Sequence, residues 1–133
     1  MVFNLFKFFS FPNNSIQKFS RVSNQTLSLI TNDWTNIDLL KKQGSPSQLR
    51  QALIAADKSL DNALKDMVSG ENMGERLKNA GNMYERDIYN KIWNAHKIRN
   101  SLVHESGYEP PHFMLEKAIE DLRKALNLIG VRV

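Results

Sequence analysis

Turn residues cut this sequence into stretches of helical apolar period, and that punctuation leaves few folds open. The sharpest cut is Gly44-Ser45-Pro46. Glycine suits the end of one helix, serine the N-cap of the next, and proline its first turn. Before the cut, between Phe19 and Lys42, residues Leu27, Ile30, Trp34 and Ile37 recur every three or four positions. This spacing predicts an amphipathic helix whose early turns are weakened by serine, threonine and asparagine. After the cut, Leu49, Leu53, Ala56, Leu60, Leu64 and Met67 mark a second helix from Pro46 to about Val68, closed by Gly70.

The pattern then repeats with weaker punctuation. Met73 to Lys78 is a short polar segment with room for one or two helical turns before Gly81. A third main helix is predicted from near Met83 to between His104 and Gly107, turning Tyr84, Ile88, Ile92, Ala95 and Leu102 inward. Pro110-Pro111 forbids its continuation and opens a fourth, with Leu115, Ala118, Ile119, Leu122, Leu126 and Ile129 on one face until Gly130. No alternating strand pattern and no long repeat is present. Amphipathic helices joined by short loops can bury their stripes only against one another. The expectation is all-α: a compact bundle of four main helices plus a short extra one, over residues 19–133. A chain of 133 residues can bury one core but not two.

Residues 1–18 have another character. Phe3, Leu5, Phe6, Phe8, Phe9 and Phe11 surround a single charge, Lys7. The run is about half of the roughly 20 residues that a membrane-spanning helix needs, and it lacks the charged start and cleavage pattern of a secretory signal. Two readings are open: residues 1–12 make peripheral membrane contact, helped by Lys7, Lys18 and Arg21, or the tail packs on the domain or on a second chain. A cytoplasmic protein, with or without that membrane contact, is expected. The net charge of +4 favours encounter with polyanions such as RNA or anionic lipid. The absence of cysteine excludes disulfides and zinc-thiolate sites. His96, His104 and His112 lack the spacing of a local metal site, and no cofactor is expected.

Chemistry concentrates between Lys97 and Glu105. At 100° per residue, Arg99 falls within the stripe of Ile88, Ile92, Ala95 and Leu102. It must therefore meet a carboxylate, reach an edge, or lie at a subunit interface. Asp57, bordering the second helix's apolar stripe, is a candidate partner. Asn100 and His104 are four apart, so the amide can orient the imidazole, and His96 lies one turn back on the same line. Arg99 and His104 diverge by about 140° and by about 7.5 Å along the axis. Two copies of the helix about a two-fold axis would bring both pairs to one cleft. Such a cleft suits RNA cleavage, with imidazoles moving protons to and from the ribose and leaving oxygens while guanidinium groups hold the phosphate.

The run Arg99-Asn100-Ser101-Leu102-Val103-His104 resembles the signature of HEPN domains: arginine, then a polar residue that is often asparagine, with histidine after four to six intervening residues. Ala56-Asp57-Lys58, Met73 to Lys78 and Trp93 to Asn100 also look like pieces of bacterial HEPN-like proteins. The resemblance covers roughly residues 45 to 130. It implies a helical bundle that dimerises, and a metal-independent endoribonuclease of toxin-antitoxin or defence systems, with RNA as substrate and a cognate antitoxin as partner. Arg99 would bind phosphate and stabilise the transition state, Asn100 would orient the site, and His104 would be the acid/base. Asp57, His96 and Ser101 would support them. The residues leave a plainer reading beside it: Arg99 pairs with a buried carboxylate, Asn100 bonds locally, and His104 favours the negative helix end. The protein is then a non-catalytic interaction or regulatory module held by its amino-terminal tail.

Overall fold

A computed structural model of the chain, describing residues 20–133, turns this punctuation into five α-helices. They are α1 (Asn24–Gln43), α2 (Pro46–Met67), α3 (Met73–Asn79), α4 (Arg86–His104) and α5 (His112–Leu128), with a 3₁₀ turn at Gly81–Met83. There is no strand among the described residues. The aromatic run and both readings of it lie outside them.

The α1–α2 corner forms as its residues dictate. Gly44 takes φ 74° and sends its N–H to Leu40 O at 3.0 Å, ending α1 in a conformation that costs glycine little. One residue later, Ser45 Oγ accepts from Gln48 N while Gln48 Oε1 accepts from Ser45 N, both at 3.2 Å, and Pro46 follows as the first helical residue. Two otherwise orphaned amides are thereby satisfied, and a serine cap of this kind contributes about 1 kcal/mol.

Helix α2 is the hub, packed against α1, α3, α4 and α5. Its Leu49, Leu53, Leu60 and Leu64 are fully buried with Ile30 and Ile37 of α1, Ile92 of α4, and Leu115, Ile119, Leu122 and Leu126 of α5. Burying one such side chain contributes about 1.5–3 kcal/mol. Trp34 is a packing residue: its Nε1 donates to Ser59 Oγ at 2.9 Å, and the Arg123 guanidinium lies 4.5 Å from its ring centre. Arg123 also pairs with Asp38, and Lys41 with Glu120, and both pairs tie α1 to α5.

Two helix starts differ from expectation. The first main helix begins at Asn24 rather than Phe19, because Ser23 caps it through Thr26 N and gives its own N–H to Asp66 at 3.0 Å. The third begins at Arg86 rather than Met83, because Tyr84 is extended (φ −131°, ψ 147°) and its hydroxyl donates to Ala125 O at 2.9 Å. Tertiary packing of Tyr84, which is buried, overrides the helical period there.

Candidate functional site

The inward face of α2 carries one carboxylate that its neighbours do not prepare for. Asp57 follows Ala56 and precedes the buried Ser59 and Leu60, and is only 2% exposed. A carboxylate so placed needs partners. Helix α4 supplies two, one turn apart. His96 Nδ1 lies 3.0 and 3.2 Å from the two Asp57 oxygens, and Arg99 Nε lies 3.7 Å from Oδ2. The first is a hydrogen bond and the second is not: Arg99 Nε is buried with no hydrogen-bond partner. The guanidinium is steadied at its other end, where Nη1 donates to Asn100 Oδ1 at 3.0 Å, and the side chain remains 30% exposed.

Asn100 joins the two. Its Nδ2 is 3.5 Å from His96 Nε2. With the Nδ1 proton given to Asp57, Nε2 is the ring's free acceptor and the amide is its long donor. Trp93 meets the imidazole edge-on with ring centres 6.0 Å apart. Asp57, His96, Asn100 and Arg99 thus form one connected set in the wall of a groove of about 800 Å³ bounded by α2, α3 and α4.

A second arginine stands in the same groove. Arg76 of α3 donates through Nε and Nη2 to the two oxygens of Asp61, at 2.7 and 3.0 Å, and through Nη1 to Gly70 O at 2.7 Å. The Asp61 hydrogen bonds push its ionisation above the already high arginine range, so it stays charged. Gly70 makes room for it: φ is +148°, and a Cβ there would come within 2.8 Å of both Arg76 N and Cγ. No family model, curated protein or solved structure matches the chain.

Function must then be read from what the groove can do. Lys58, Lys65 and Lys97 line it with the two arginines, against Asp57, Asp61 and Glu71. Since each arginine faces its own carboxylate, three lysines oppose Glu71 and the remaining field suits an anion. Among the described residues no group of three or more histidine and carboxylate side chains could hold a metal ion, and no helix is long and apolar enough to cross a membrane.

The residues singled out in the sequence do not all meet. Arg99 and Asn100 line the groove with Asp57 and His96. His104, the last residue of α4, is exposed and lines a separate hollow with Arg50, Glu105 and Tyr108. The expected pairing of Asn100 with His104 is replaced by a contact one turn in the other direction. Asn100 is held by Arg99, which donates to its Oδ1, and lies beside His96, whose ring Asp57 fixes one turn back. His96, one turn back on that line, is only 8% exposed. Ser101 turns away and donates to Glu105 at 2.9 Å. Sequence reasoning missed Arg76 with Asp61, because helical period does not link residues on different helices. The local signal for it is Gly70, which closes α2 and also leaves room for Arg76.

Proposed function

We propose that the chain is a HEPN-type, metal-independent endoribonuclease acting as a homodimer, in which Arg99 and Asn100 of one protomer work with the partner's His104. The observation that carries this reading is the state of Arg99. Its inner edge faces buried Asp57, Asn100 fixes its fork, and the rest is open to a groove richer in cations than in carboxylates. An arginine held this way is preorganised for a phosphate, whose charge grows during 2′-hydroxyl attack. His104 lies at an exposed helix end, accessible to a second copy. A two-fold axis would repeat this pairing, so that each Arg99 has the partner's His104 as its proton-transfer group. A toxin or defence role restrained by a cognate antitoxin suits such an activity.

The test is cleavage of structured and single-stranded RNA in chelator. Arg99→Ala and His104→Ala should each reduce the rate by at least about 100-fold, the scale of losing a charge-stabilising or acid/base group. Equal cleavage by both variants and the unaltered protein would contradict the proposal.

A second reading draws on the separation of Arg99 from His104 within one chain and on the carboxylate already facing Arg99. It makes the protein a non-catalytic helical interaction module tethered by residues 1–12 to a membrane or partner. It predicts no RNA turnover and loss of liposome or partner binding when those residues are removed.

A further inference from the structure

We propose that a single protomer carries its own phosphate-binding site, in which His96 Nε2 and the Arg99 guanidinium grip one phosphate group in the α2–α3–α4 groove. The proposal concerns binding by one chain and does not rest on RNA cleavage or on His104.

His96 is the imidazole that the fold prepares for the groove. Asp57 holds Nδ1 with both oxygens, at 3.0 and 3.2 Å, and Trp93 stands edge-on beside the ring. These contacts fix which nitrogen is left over and where it lies. That nitrogen, Nε2, has only the long contact to Asn100 Nδ2 at 3.5 Å. It is poorly satisfied for a side chain so deeply buried.

Three residues further along the same helix, Arg99 is unfinished in the same sense. Among the described residues its one hydrogen bond is to Asn100 Oδ1. The two unfinished groups flank the same amide, so one ligand can meet both. Phosphate fits because it offers several acceptor oxygens on one centre, and because an arginine fork suits two of them. A third oxygen replaces Asn100 at Nε2. A protonated oxygen of inorganic phosphate or a monoester donates to Nε2 directly. A backbone diester oxygen carries no proton, so there the ring takes one up from solvent and Nε2–H donates, the positive charge facing Asp57, which accepts from Nδ1. Lys58 and Lys97 line the same groove and add to the attraction.

The phosphate can belong to a nucleic-acid backbone or to a small phosphate compound. Histidine-labelled full-length protein followed by NMR separates these. One arm adds inorganic phosphate, and the other a short 2′-O-methyl oligoribonucleotide, which cannot be cleaved by its own 2′-oxygen. The expected result is a saturable shift of the His96 ring signals, while those of His112 stay still. Arg99→Ala should abolish the shift. His96→Gln should weaken binding by at least about tenfold, the scale of one charge-assisted hydrogen bond. Response to both ligands, tighter for the oligonucleotide, assigns the site to a nucleic-acid backbone; response to phosphate alone assigns it to small phosphates. An unmoved His96 in both arms overturns the proposal, and needs no variant to fold. RNA cleavage that persists in that case leaves the composite-site reading standing and removes only this one.

Discussion

Two arginines share one groove, and their surroundings differ in a way that separates structure from function. Arg76 has all three nitrogens engaged: it makes a two-pronged bond to Asp61 and a third bond to Gly70 O, and its side chain is 10% exposed. Arg99 faces Asp57 at 3.7 Å without a hydrogen bond, keeps one bond to its neighbour Asn100, and is 30% exposed on its side chain. An arginine with all three nitrogens already hydrogen-bonded has less left for a ligand. One that is positioned but under-bonded can complete its shell with phosphate oxygens. The contrast lies in hydrogen bonding and not in charge, since each stands beside a carboxylate.

Stability measurements can break this contrast, and the largest effect is expected at Arg76. Arg76→Ala should cost about 2–4 kcal/mol, between an exposed pair and a fully buried one, read from the denaturant midpoint. Gly70→Ala should cost about 1–3 kcal/mol, because φ +148° is strained for alanine and the added carbon meets the Arg76 backbone. Arg99→Ala should stay within about 1 kcal/mol of the unaltered protein, since Asp57 keeps His96. If Arg99→Ala destabilised as much as Arg76→Ala, both arginines would be structural.

Tyr84 sharpens the comparison from outside the groove. Burial pushes its phenol well above the ordinary range, so the folded state holds this proton more tightly than the unfolded chain does. Its contribution should be complete below the unfolded value of about 10 and fall as pH rises beyond it. Tyr84→Phe should flatten the alkaline part of a stability-versus-pH curve, and lose about 1 kcal/mol at neutral pH with the bond to Ala125 O. An unchanged alkaline slope would show that Tyr84 does not control it.

What the sequence disclosed follows the range of the forces involved. Gly44-Ser45-Pro46 specifies its corner because a cap is settled within a few residues. The stripes of α1, α2 and α5 were legible because burial follows helical period. The start of α4 was not, since Tyr84 is held by Ala125, far along the chain. Within the site, Asp57 was recognisable as a partner for Arg99, but its stronger bond to His96 depends on how α2 and α4 are set against each other. Spacing placed Asn100 on one line with both histidines, and the choice of His96 follows from Asp57 of α2, which fixes that imidazole beside the amide.

The composite site is tested most directly by mixing two disabled proteins. Arg99→Ala and His104→Ala chains, each nearly inactive alone, are combined in equal amounts, allowed to exchange subunits, and assayed for RNA cleavage in chelator. With random pairing, half the dimers are mixed, and each mixed dimer has one intact pairing of Arg99 with the partner's His104. The account predicts recovery to about a quarter of the unaltered rate. A mixture that cleaves no faster than either variant alone would contradict it.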